Sequence, residues 1–193
     1  MLAGADEVLG GAGLAHRRLA CHDAALGERL AAPLAERGWR TESLAVMVWP
    51  EERPPPAPGA GAGRELDGAE ARALHERLTR EAYATEPAVA AQLAATLAWC
   101  RPFGAPARAP AALARVWRAG ELAEIDDVGV LPGARGRGLG TRVVLVALNA
   151  ARATTAARWV FLRADERDWP WAWYARLGFE VVGRHWSFAL PGA

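Results

Sequence analysis

Val128-Gly129-Val130-Leu131-Pro132-Gly133-Ala134-Arg135-Gly136-Arg137-Gly138-Leu139-Gly140-Thr141 is the stretch on which the reading of this chain turns. An apolar strand, Ile125 to Leu131, runs into a Pro-Gly turn. A glycine-rich loop follows, then a run of helix formers from Thr141 to Ala153. Strand, glycine loop and helix in this order present bare backbone N–H groups at a helix N-terminus. Such a terminus carries partial positive charge and unpaired donors, which suits a phosphate. The glycines let the backbone approach a ligand closely and take positive φ.

Three phosphate-loop patterns compete for these residues. Gly133 and Gly138 have Walker spacing, but Leu139 follows where Lys is required, and the chain has no lysine. A dinucleotide fingerprint from Gly136 and Gly138 would need a third glycine where Thr141 stands. The pattern Arg-x-x-Gly-x-Gly, Arg135 to Gly140, is intact. Nearer the C-terminus stands Trp173-Tyr174-Ala175-Arg176-Leu177-Gly178-Phe179, whose Gly178 is also what a helix C-terminus calls for on local grounds.

The first pattern resembles the pyrophosphate loop of the GCN5-related N-acetyltransferases (GNAT family), and the second resembles that family's Tyr-x-x-Leu-Gly-Phe segment. The resemblance runs from about Leu113 to Phe188. It implies a mixed α/β fold, a GNAT-like splayed central β-sheet flanked by helices, and acetyl-coenzyme A as co-substrate.

Composition narrows the class. The 193 residues are 52% hydrophobic and 23% charged, with a net charge of +1, so the chain is long enough for one real core. No global field attracts nucleic acid or an anionic membrane. Every basic residue besides His is Arg, and with abundant Ala, Gly and Pro this reads as the codon bias of a GC-rich, bacterial-like genome. Cys21 and Cys100 read as reduced thiols. Asp6 and Glu7 near the start and the lack of a basic stretch argue against a signal peptide, and no apolar run is long enough to span a bilayer. These points imply the cytoplasm.

Taken in order, residues 1–13 read as loose and Leu14 to Leu19 as a strand. Leu26, Leu30 and Leu34 mark a helix from Asp23 to Arg37, with Pro33 predicting a kink or early break. Leu44, Val46 and Val48 alternate in a strand, Glu42 to Trp49. The Pro/Gly stretch 50–63 offers no basis for a fixed fold. Asp67-Gly68-Ala69-Glu70 is a capping box opening a helix to about Tyr83, with Leu74 and Leu78 on its apolar stripe. Thr85-Glu86-Pro87 starts a helix to about Cys100 carrying Val89, Leu93 and Leu97. Pro102 to Pro110 suggests an irregular edge strand. Ala112 to Arg118 and Glu121 to Val130 form a hairpin about Ala119-Gly120. Beyond the glycine loop the pattern predicts a strand Arg158 to Ala164, a helix Pro170 to Leu177 and a strand Phe179 to Phe188. The whole, 1–193, reads as a single N-acetyltransferase domain with a motif-bearing half at about 111–193 and a divergent half at about 14–110.

The resemblance also implies roles. Val128, Gly129 and Val130 would pair by backbone with the pantetheine arm, as an added strand does. Arg135, Gly136, Arg137, Gly138, Leu139, Gly140 and Thr141 would cradle the pyrophosphate. Arg137 equally fits a solvated loop face. Glu124 stands where histone-type members place a general base; Asp126, two residues on, shares its face, and Asp127 faces away unless a bulge intervenes. Tyr174 is the candidate general acid. Many members have Asn seven residues before that Tyr, but this chain has Arg167, so Asp168 or Asp165 would substitute. His16, His22, His75 and His185 lack metal-ligand spacing and receive no role, and no metal is expected. The implied reaction moves acetyl from acetyl-coenzyme A to an amine of a small molecule or peptide. An inactive coenzyme A-binding sensor or partner-recognition module of the same fold is the alternative. No nucleic-acid or membrane partner is expected, and a homodimer is left open.

Overall fold

The computed structural model describes residues 17–83, 87–95, 100–153 and 157–190, with positions 4, 7, 8 and 11 ahead of them. The readings for residues 1–16, 84–86 and 96–99 fall almost wholly outside the described residues. The chain divides into two compact units, Met1–Met47 with Arg163–Ala193, and Val48–Leu162. The fold is mixed α/β.

In the first unit, strand β1 (Arg17–Cys21) pairs antiparallel with β8 (Glu180–Leu190), Cys21 opposite Trp186, and β8 lies beside β2 (Arg40–Trp49). Helix α1 spans Ala24–Ala35 and is capped by Asp23, whose carboxylate accepts from Leu26 N–H at 2.9 Å. The helix runs through Pro33 rather than breaking there, because Pro33 sits in the last turn and forfeits one N–H only. It closes at Gly38, φ 79°, where Trp39 N–H returns to Leu34 O. In β2 the deeply buried set is Ala45, Met47 and Trp49, not the expected Leu44, Val46 and Val48. Apolar residues occupy both sides of this strand, so alternation alone does not choose the inner one.

The second unit holds strands in the order β7-β6-β5-β4-β3. They are β3 (Arg64–Glu65), β4 (Arg101–Ala105), β5 (Ala112–Ala119), β6 (Leu122–Val130) and β7 (Trp159–Asp165, whose last three residues fall in the other unit). Strand β4 pairs regularly with β5 and with the unforeseen β3, so it is not an irregular edge. The β5–β6 hairpin turns on Gly120, φ 58°, between Ala119 and Leu122. Parallel pairing of β6 with β7 covers Leu122 to Glu124 against Trp159 to Phe161; from Ile125 onward β6 is registered on β5.

Helix α2 (Gly68–Tyr83) opens with the predicted capping box: Asp67 Oδ1 accepts from Ala69 and Glu70 N–H, both at 2.9 Å. Helix α3 (Pro87–Ala95) buries Ala90 and Ala94, while Leu93 is exposed, against the expected stripe. Stretch 50–63, expected to be unfixed, is tied down. Trp49 Nε1 donates to Arg53 O at 2.8 Å, Arg158 pairs with Glu51 at 3.0 Å, and Asn149 donates to Pro56 O at 2.9 Å. Asn149 and Arg158 lie 93 and 107 residues from their partners, where local composition cannot show them. Helix α4 (Leu139–Ala153) buries Leu139, Val143, Val144, Val146 and Leu148, each contributing roughly 1.5–3 kcal/mol of burial.

Candidate functional site

The second unit carries most of the expected site residues, and β6 organises them. Its register on β5 slips between Leu113↔Gly129 and Arg115↔Asp126, so Asp127 and Val128 together face one residue, Ala114. Asp127 sits at φ 51°, the one non-glycine residue with positive φ among those described. This is the bulge on which the side of Asp127 depended. It allows consecutive residues to reach the same cation, which strict alternation forbids. Arg115 Nη2 lies 3.3 Å from Asp126 Oδ2, and Arg115 Nε lies 3.2 Å from Asp127 Oδ2. Asp126 Oδ2 also accepts from Trp117 Nε1 at 3.3 Å. Glu124 lies opposite Trp117 and is half-buried, on the same side as Asp126.

Asp127 has another partner, His75 of α2, whose Nε2 is 2.6 Å from Oδ2. The ion-pair contacts of His75 and Arg115 thus meet at this one buried oxygen. Burial works against the charged form of Asp127, but His75 and Arg115 outweigh it and hold the carboxyl below its ordinary value. Cys100 faces the same charges, and burial pushes its thiol up. His75 is the residue that the reading by motif passed over. The available signal was periodic: Ala71, Leu74, His75 and Leu78 fall at i, i+3, i+4 and i+7, which puts the imidazole on the buried face. Leu78, one turn on, lies 3.4 Å from where a Cβ on Gly129 would sit, so α2 covers the end of β6.

After Val130 the chain makes a single 3-10 turn, Pro132–Ala134. Arg135 Nε donates to Val130 O at 3.3 Å, folding its side chain back over the strand end. Gly136 and Gly138 take φ of 75° and 71°, and open space surrounds the Cβ position of each. Gly138 O accepts from Arg142 N–H at 3.1 Å, so Gly138 is the cap residue of α4. Having no side chain, it leaves the first-turn N–H groups of Leu139 and Gly140 without the carboxylate that caps α1 and α2, and that turn contains no acid. The helix therefore starts earlier than expected, at Leu139, and its first turn suits an anion supplied from outside.

The tyrosine segment belongs to the first unit. Helix α5 (Trp169–Leu177) is capped by Asp168, which accepts from Trp169 N–H at 2.7 Å. It ends at Gly178, φ 112°, with Phe179 N–H bonded to Tyr174 O at 3.1 Å. Tyr174 is buried, its ring 4.6 Å from Trp173 and edge-on to Phe179 at 6.0 Å. Arg167 folds onto Asp165 at 3.1 Å, and its guanidinium holds that carboxyl below its ordinary value. Trp169 is 69% exposed. His22 and His185, given no role, stand Nδ1 to Nδ1 at 3.2 Å in this unit. No group of three metal-ligating side chains occurs among the described residues.

Comparison with known proteins agrees with this architecture. The model of the acetyltransferase (GNAT) family matches residues 109–179. A GCN5-related N-acetyltransferase from Kribbella flavida superposes with a TM-score of 0.67 at 20% identity, over 100% of this chain and 74% of that one. A tandem GNAT protein from the clavulanic acid biosynthesis pathway gives 0.66 at 20%, over 100% and 70%. A GNAT-family protein from Novosphingobium aromaticivorans gives 0.61 at 24%, over 80% of this chain and 66% of that one, so this chain spans just under two thirds of that protein. At such identities the likeness is one of fold. No curated protein matches the sequence. The fold is of the GNAT type, and residues 109–179 match the model of the acetyltransferase (GNAT) family.

Proposed function

We propose that this protein is an N-acetyltransferase that takes acetyl from acetyl-coenzyme A and gives it to an amine of a small molecule or peptide. The observation that carries the reading is the start of α4: two left-handed glycines, no side-chain cap, no acid in the first turn, inside the matched segment. The residues fit the group, since a pyrophosphate needs backbone donors and room, and Gly136 and Gly138 leave both. Leu139 and Gly140 supply N–H groups, Thr141 is proposed to line the same turn, and Arg135 and Arg137 supply charge. Val128 to Val130 offer strand edges to the pantetheine arm where β6 has left β7.

The co-substrate supplies a thioester carbonyl. The amine must be neutral to attack it, so Glu124 is proposed to take its proton, with Asp126 in a supporting place beneath Arg115 and Trp117. An N–C bond forms, the C–S bond breaks, and the thiolate leaves as a thiol with a proton from Tyr174. Asp168 is proposed to act at the cofactor by fixing the start of α5. No helix among the described residues is long and apolar enough to cross a membrane, and Cys21 and Cys100 form no disulfide, which supports a cytoplasmic place of action. Release of free thiol from acetyl-coenzyme A in the presence of an amine panel, with mass spectrometry of the products, tests the reading. Amine-dependent release with products 42 Da heavier is the mass change of one acetyl replacing one hydrogen (about 42 by composition). Binding without release from any amine would leave only a coenzyme A-binding module.

A further inference from the structure

We infer that His75 is a positioning residue for this acyl transfer, acting through Asp127 to present one carboxylate oxygen to the attacking amine. The inference rests on the acetyltransfer reading above.

His75 is 4% exposed and its Nε2 stands 2.6 Å from Asp127 Oδ2. A carboxylate only accepts, so the imidazole carries its proton on Nε2. The other nitrogen, Nδ1, is buried with no hydrogen-bond partner among the described residues. His75 therefore faces Asp127 as a hydrogen-bond donor from the buried side of α2. Arg115 Nε reaches the same oxygen at 3.2 Å.

Two donors from two elements, α2 and β5, thus converge on Oδ2, which is itself buried. The Asp127 side chain is nevertheless 31% exposed, so its exposure falls on Oδ1 and the stem. No described protein group reaches Oδ1. The left-handed backbone at φ 51° sets this carboxylate one residue before Val128, three residues past Glu124, the last β6 residue registered on β7. Oδ1 is thereby an oriented acceptor for an N–H of the amine at the mouth of the strand edge. The charged groups facing Asp127 are Arg115 from β5 and Asp126 on its own strand, with His75 from α2 and the Cys100 thiol before β4.

The test compares His75→Gln, which keeps an N–H donor at similar reach, with His75→Leu, which keeps bulk only. Two readouts are taken: the Asp127 side-chain carboxyl followed by carbon-13 NMR against pH, and the pH profile of kcat/KM for acetyl-coenzyme A with spermidine, tyramine and lysine amide as probe amines. Loss of the donor in His75→Leu should raise the Asp127 midpoint and the acid limb of the profile together, with kcat/KM lower by roughly tenfold. His75→Gln should restore both. An acid limb in His75→Leu that overlays the parent, or a Gln variant as impaired as the Leu variant at equal Tm, would overturn the role. If Leu does not fold, His75→Asn, too short to reach Oδ2, takes its place. No transfer by the parent protein to any amine sinks the acetyltransfer reading and this role with it; an unmoved limb in an active enzyme sinks this role alone.

Discussion

The two motif-bearing segments differ in what their polar groups are occupied with. In α5 the ends close on the segment itself: Asp168 caps the start, Gly178 caps the end, and Tyr174 packs between Trp173 and Phe179. From β6 to α4 the opposite holds. The strand is bulged out of its register, Asp127 shows an oxygen that no described group bonds, and Gly138 leaves the helix start uncapped. The helices α1, α2 and α5 each use an Asp at the cap, and α4 does not. Side-chain caps of this kind are worth about 1 kcal/mol each. The chain therefore forgoes local stability at the one helix start whose donors a ligand would need. Damage to the open segment should cost function before stability, and loss of the caps of the closed one should cost stability first, with the Tyr174 hydroxyl as the exception the proposed mechanism makes.

The largest expected effect is on rate. Glu124→Gln removes the proposed proton acceptor and keeps the side chain's shape, so kcat should fall by roughly a hundred-fold or more while acetyl-coenzyme A affinity holds. Steady-state kinetics beside calorimetry would show it, and an unchanged kcat would remove Glu124 from the mechanism. Next comes Gly138→Asp, which gives α4 the carboxylate its sister helices have. Placed beside a pyrophosphate, a like charge and a strained φ should weaken acetyl-coenzyme A binding by at least about tenfold. Equal Kd by calorimetry would mean that residues 135–141 are only a turn.

In the closed segment, Gly178→Ala forces a side chain into φ 112° and should cost about 1–2 kcal/mol, lowering Tm by roughly 2–8 °C. Thermal unfolding with unchanged Kd is the expected pair of results; a loss of affinity equal to that of Gly138→Asp would erase the contrast. The smallest effect concerns pH. The bond from Arg64 lowers Glu70 to about 2, from 4.5. Because the folded value is the depressed one, the contribution is whole above pH 4.5 and is lost as pH falls toward 2. Glu70→Gln should flatten the Tm decline across that window, and a slope equal to the parent's would show the pair contributes nothing.

Much of this contrast was written locally. The capping box at Asp67, the glycines at 136 and 138, and the cap at Gly178 each depend on neighbours within four residues, and each reads correctly from sequence. Sequence alone starts α4 two residues late, at Thr141, because Leu139 and Gly140 continue the glycine-rich pattern of the loop. What the sequence hid depends on distant partners. Stretch 50–63 is held by Asn149 and Arg158, and β3 exists because β4 pairs with it. His75 lacks ligand spacing, and its partner is 52 positions on, reached only through a bulge that no residue type announces.

The central claim is that the uncapped start of α4 receives the pyrophosphate of acetyl-coenzyme A. Thermal unfolding of the intact protein under increasing acetyl-coenzyme A tests it most directly, because a ligand that binds only the folded state stabilises it in proportion to the logarithm of its excess. The account predicts a dose-dependent rise in Tm, worth about 2.7 kcal/mol at a hundred-fold excess over Kd, and a much smaller rise in Gly138→Asp. A Tm that stays flat up to millimolar acetyl-coenzyme A would contradict it.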